Sequence, residues 1–263
     1  MASLYYRNTG TGSYSTVTNW SLTDGGVSAG VIPTTSDDAF FTANSGSCTV
    51  GSSSNCRNID FTGYTGNLFF STASIVVNGN ITLSPTMTIT TTSGGDGLGY
   101  GFSLSATSCT IASKGINVSK LIPNVAGITI TLLDTLSIAA IIISANNVTW
   151  VGSIFIVGSF VYLSTGTPVI FKAGNNYQIG NLVDNYHTGI AHGLIRSDTP
   201  GTQAIVTVTG SCNTGYLDFT DIDASQGIPI LTFMGVVTNS NNIFTMVDSS
   251  IQLNPTTSGM LTA

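Results

Sequence analysis

The sequence predicts an all-β fold, specifically a single-stranded right-handed parallel β-helix (β-solenoid) with N- and C-terminal caps. Two observations point there. All twelve acidic residues are aspartate, and lysine and arginine together number only six. Glu, Lys and Arg therefore cannot supply the polar faces of amphipathic helices, whereas Asp favours turns. The second observation is a run of short apolar alternations: Ile75-Val-Val77, Ile81-Thr-Leu83, Met87-Thr-Ile89, Phe102-Ser-Leu104, Ile116-Asn-Val118 and Ile128-Thr-Ile130-Thr-Leu132. It continues through Leu136-Ser-Ile138, Val148-Thr-Trp150, Ile154-Phe-Ile156 and Val169-Ile-Phe171. Alternation with a period of two marks half-buried strands. Many of these segments span only three or four residues between one- or two-residue turns. Sandwiches and barrels use strands of about five or six residues with wider turns. Three short strands per coil, stacked in parallel, fit better.

The elements follow in order. Residues 1–62 are expected to form the N-terminal cap and first coil, 63–200 the solenoid body, and 201–263 the C-terminal coils and cap. A solenoid ends in bare sheet edges that need covering. At the N-terminal end stands "NWSLTDGGVSAGVIPTTSDDAFF". There Tyr14, Trp20 and Pro33 are expected to cover the first coil, with Asp37 or Asp38 fixing its turn. Adjacent strand residues point to opposite faces, so these two carboxylates are not expected to converge on one substrate. In the body, Ile, Val, Leu and Phe face inward and Trp150 packs along the stack. Asn78, Asn80, Asn117 and Asn147 are expected at left-handed corners. Gly94-Gly-Asp-Gly-Leu-Gly99 reads as a loop between short strands rather than a nucleotide-binding turn before a helix.

The stretch from Asn19-Trp20-Ser21 through Pro33 to Asp37-Asp38-Ala-Phe-Phe41 resembles the head of β-helical bacteriophage structural proteins and autotransporter-like adhesins. Tyr14 stands where that head usually has a first Trp. Tyr216-Leu-Asp-Phe-Thr-Asp-Ile-Asp-Ala-Ser225 resembles their final coils. The resemblance implies the solenoid fold and no particular catalytic residue. By analogy with threefold virion appendages, it also implies a homotrimer.

Charge narrows the function classes. A net charge of −6 and a pI near 4.4 lack the basic footprint of nucleic-acid binding. The most apolar window, Gly127 to Trp150, is broken by Asp134 and Asn146-Asn147, so no membrane insertion is expected. MASLYYRNTG shows neither the basic nor the apolar part of a signal peptide. An extracellular-like composition without an export signal fits a virion exterior protein, either capsid decoration or a tail fibre or spike component. It also fits a piece of a secreted protein.

That non-enzymatic structural reading leads. Its expected partners are further copies of the chain, other virion proteins such as capsid or tail proteins, and a host surface glycan. The enzymatic alternative is a polysaccharide-degrading tailspike, whose acids and bases would be Asp218, Asp221, Asp223, His187 and His192. As a strand, this segment would place Asp221 and Asp223 on one face. A bacterial surface adhesin is the third alternative. No cofactor and no metal are expected, because Cys48, Cys56, Cys109 and Cys212 lack zinc spacing and the histidines sit five apart. Cys48 and Cys56 are either buried thiols or a disulfide across a turn.

Overall fold

The computed structural model describes residues 1–52, 54–92, 99–145, 147–162, 168–184, 192–233, 235–247 and 250–252. His187, most of the Gly94–Gly99 loop and the last residues of the expected C-terminal cap lie outside them. The described chain is all-β apart from a 3-10 turn at Val17–Asn19, and its strands pair mostly in parallel. Two compact units are present: Met1–Val125 with Ile130–Ala139, and Ala126–Thr129 with Ala140–Ala263.

In the first unit the chain returns again and again to three sheets. One stacks Ser3–Tyr6, Asp38–Phe40, Ile59–Asp60, Ile81–Thr82 and Ser108–Ala112 in parallel. A second stacks Gly12–Ser13, Cys48–Val50, Asn67–Phe70 and Thr88–Thr91. The third stacks Ser54–Cys56, Ile75–Val77, Phe102–Leu104 and Asn117–Pro123. Register is set by burial, since a slip of one residue would turn every side chain to the other face. Ala39 therefore opposes Ile59, Ile59 opposes Ile81, and Ile81 opposes Ile111, all of them buried. This is a solenoid-like repeat.

The second unit repeats in the same manner. Val148–Val151, Pro168–Phe171, Gly193–Ser197, Leu217–Thr220 and Val237–Thr238 form one parallel stack. Ile154–Tyr162, Asn176–Asp184, Ala204–Val208 and Ile222–Asp223 form another. Val148, Val169, Ile195 and Phe219 make its inward ladder.

Two expectations are corrected. Strands of three or four residues, three to a coil, do not persist: Asn117–Pro123 has seven residues, and Ile154–Tyr162 and Asn176–Asp184 have nine each. The long strands run through what was expected to be a corner. Asn176–Asp184 pairs first with Ala204–Val208 and then with Cys212–Asn213. Gly210 closes the gap between those partners, donating its N–H to Gly180 O at 2.7 Å; a Cβ at position 210 would lie 2.6 Å from that oxygen. Of the four asparagines expected in left-handed corners, only Asn147 has a positive φ, +57°. Asn117 opens a strand, while Asn78 and Asn80 act through their side-chain amides.

Candidate functional site

The Asn19-Trp20-Ser21 stretch lies on the outer edge of Ser3–Tyr6, where Trp20–Ser21 pairs antiparallel with that strand. Trp20 is fully buried, and its ring meets Tyr6, Tyr14 and Phe41 at centroid distances of 5.4, 4.8 and 5.6 Å. Phe61 stacks on Phe41 at 4.7 Å, which continues the aromatic cluster one coil further. Burying an indole requires a partner for its N–H, and Trp20 Nε1 donates to Tyr14 O at 2.7 Å. Hydrogen bonds fasten the stretch and its neighbours in place. Asn19 Nδ2 donates to Ser13 O at 2.8 Å, Tyr14 Oη to Asn55 O at 2.9 Å, and Ala29 N to Trp20 O at 2.8 Å. Pro33 is buried and Asp37 follows in the next turn.

Asp37 and Asp38 bond in opposite directions along the chain. Asp37 accepts the N–H of Ala2 at 2.7 Å and the hydroxyl of Thr34 at 2.6 Å. The Thr34 hydroxyl foremost, with the Ala2 N–H, lowers its pKa. Asp38 receives Arg57 Nε at 2.8 Å, Arg57 Nη2, and Asn58 Nδ2 at 2.8 Å. Burial alone would raise the pKa of Asp38, but these donors hold it below the usual carboxylate range.

Other carboxylates do the same between neighbouring coils. Asp134 accepts Ser113 N at 2.8 Å and Lys114 N at 3.0 Å. Asp198 accepts Ala173 N at 2.8 Å and pairs with Lys172 Nζ at 3.0 Å. For both, burial opposes ionisation and these bonds overcome it, so both pKa values are lowered. Amides extend the pattern: Asn58 Oδ1 accepts Asn80 N, and Asn80 Oδ1 accepts Thr110 N, each at 2.8 Å. The sequence reading missed Asn58, Asp134 and Asp198. A signal was present, since Asp38, Asn58 and Asn80 recur at the interval at which the inward residues recur.

The acidic residues of the enzymatic alternative are dispersed. Asp221 does not continue a strand with Asp223: it sits at φ +56° between Leu217–Thr220 and Ile222–Asp223, and this turn breaks the alternation. It is 6% exposed, and it accepts Gly201 N at 3.0 Å and the Asn239 side-chain amide. Asp223 accepts Ser225 N within its own turn at 3.0 Å. Asp218 is different. Its Oδ1 lies 2.8 Å from His192 Nδ1 and accepts Val236 N at 2.7 Å, with the Tyr216 ring 5.6 Å from the imidazole. With Asp218 ionised, the shared proton resides on Nδ1, and a neutral imidazole then carries its basic lone pair on Nε2. That arrangement can hold or accept a proton. Among the described residues, no group of three His, Cys, Asp or Glu side chains is placed to hold a metal ion.

The four cysteines are free thiols. Burial pushes Cys48, Cys56 and Cys109 up to about 12. A cleft of about 640 Å³ opens in the first unit, lined by Thr, Ser, Asn, Ala and Gly from the turns at 9–11, 43–47 and 65–66. Gly46 is required at this cleft, because a Cβ there would lie 2.1 Å from Gly10 O. Neither a family model nor a curated protein nor a solved structure matches this chain.

Proposed function

We propose that the chain is a non-enzymatic structural protein of a bacteriophage virion exterior. In this reading it is a right-handed parallel β-helix whose first coil is closed by the Asn19-Trp20-Ser21 stretch and whose copies assemble as a trimer. The observation that carries it is the occupation of the carboxylates. Asp37, Asp38, Asp134, Asp198 and Asp221 each accept a backbone N–H from another coil, so these acids, Asp221 of the enzymatic alternative among them, serve the fold. Such bonds stabilise a rigid, repetitive scaffold, and the resemblance of the head to phage structural proteins supplies the setting. The test is electron microscopy of the native particle with an antibody against this chain, together with sedimentation equilibrium of the purified protein. Label on capsid or tail and a threefold mass support the proposal. Particles without label overturn the virion assignment, and a monomeric mass overturns the trimer.

The hydrogen-bonded His192–Asp218 pair favours one second reading, a polysaccharide-degrading tailspike in which neutral His192 acts as base. Release of oligosaccharides from host surface glycan, lost in His192→Ala with folding intact, would establish it. Asp221→Asn is the poorer probe because it also loosens the bonds to Gly201 and Asn239.

A further inference from the structure

We propose that Asn78-Gly79 is a self-modifying site, at which the Asn78 amide converts to aspartate and isoaspartate with water as the only co-reactant. The dipeptide forms the corner between Ile75–Val77 and Ile81–Thr82. Three features of this corner leave the reacting groups open to attack. Asn78 is exposed, so water and hydroxide reach its amide. The backbone N–H of Gly79 makes no hydrogen bond within the described structure, whereas those of Asn78 and Asn80 donate to Cys56 O at 3.0 Å and Asn58 Oδ1 at 2.8 Å. Ser105 Oγ lies 3.4 Å from both Val77 O and Asn78 Oδ1, and turned to the latter its hydroxyl can support negative charge developing on that oxygen.

The residue that makes attack feasible is also the one the fold demands. A Cβ at position 79 would lie 2.4 Å from Asn58 Oδ1 and 2.9 Å from Arg57 O. Only glycine fits beneath the preceding coil, and glycine leaves its nitrogen sterically open. Hydroxide removes the Gly79 N–H proton, and the nitrogen attacks Asn78 Cγ. A new N–C bond forms, the Cγ–Nδ2 bond breaks, and Nδ2 leaves as ammonia after taking a proton from water. Water then opens the cyclic imide. Opening at Cγ gives aspartate, and opening at the main-chain carbonyl gives isoaspartate, whose backbone carries one extra carbon. The sum is amide plus water giving acid plus ammonia, with no change of oxidation state. The longer isoaspartyl backbone displaces Asn80, whose side chain accepts Thr110 N of the next coil.

The experiment incubates the folded protein at mildly alkaline pH. Peptide mapping then follows the mass increase of amide-to-acid conversion, and an isoaspartyl-specific methyltransferase reads the isomer. The expected result is conversion concentrated in the peptide containing Asn78, with loss of that signal in Asn78→Gln and slower conversion in Ser105→Ala. A denatured sample gives the unrestrained rate. Conversion at Asn78 in the denatured chain but none in the folded protein overturns the proposal, because the corner then shields the amide. An unchanged rate in Ser105→Ala overturns the role assigned to that hydroxyl.

Discussion

Replacing Asp134 by alanine tests the claim that single carboxylates fasten successive coils. The wild-type side chain accepts Ser113 N, Ser113 Oγ at 2.7 Å and Lys114 N. Ser113 is fully buried, so its N–H cannot turn to water once the carboxylate is gone. An orphaned buried donor costs about 1–3 kcal/mol, and a hydrogen bond to a charged acceptor contributes about 1.5–3 kcal/mol. The Ser113 hydroxyl retains Thr135 O at 3.0 Å, and Lys114 N reaches solvent, so both are discounted. The expected loss for Asp134→Ala is about 2–4 kcal/mol. Asp134→Asn keeps one acceptor oxygen and should lose about half as much.

Urea unfolding gives the total, and amide hydrogen exchange at Ser113 and Lys114 shows where it is lost. The sign of the pH dependence follows from a folded-state pKa below the unfolded value of about 3.9. The contribution is fully present above that pH and disappears as pH falls through the folded pKa. Wild type and Asp134→Ala should therefore converge in acid. A variant within about 0.5 kcal/mol of wild type at neutral pH, or a gap unchanged in acid, refutes the reasoning.

Trp20→Ala should destabilise by about 3–5 kcal/mol and Trp20→Phe by less, because the ring contacts survive while the bond to Tyr14 O is lost; thermal melts rank the pair. Cys48, Cys56 and Cys109 should resist alkylation at pH 8 in the folded protein and react after denaturation, since burial keeps them protonated; labelling in the folded state would show that the core opens. Asn147→Gly should be tolerated, whereas Asn147→Val should cost about 1–2 kcal/mol at φ +57°; equal stability of the two would refute the strain argument.

The strands were legible wherever alternation and length agreed. Ile75–Val77, Phe102–Leu104 and Val148–Val151 lie where the alternation places them. Alternation reports which face a residue takes, and it carries no information on whether a strand ends at a corner or bends through it. For that reason the nine-residue strand Asn176–Asp184 was not foreseen. Asn and Asp were read through their tolerance of left-handed backbone, yet Asn58 and Asn80 work by side-chain acceptance across coils, which depends on the stacking interval. The His192–Asp218 contact was illegible because 26 residues separate its partners, and only the register Leu194↔Asp218 brings them together.

The inward ladder Ala39–Ile59–Ile81–Ile111 has a consequence for how the first unit forms. Every rung joins residues one coil apart, so each new coil closes a loop of about 20 to 30 residues at an entropic price of about 2.7–3 kcal/mol beyond a constant. A finished coil offers a paired edge and a greasy floor that offset this. On the outer edge of Ser3–Tyr6 the antiparallel strand Trp20–Ser21 stands where a further parallel coil would pair, and the rings of Tyr6, Tyr14, Trp20, Phe41 and Phe61 pack there. The aromatic cluster is thus placed to act as a seed crystal, from which the chain zips forward one turn at a time.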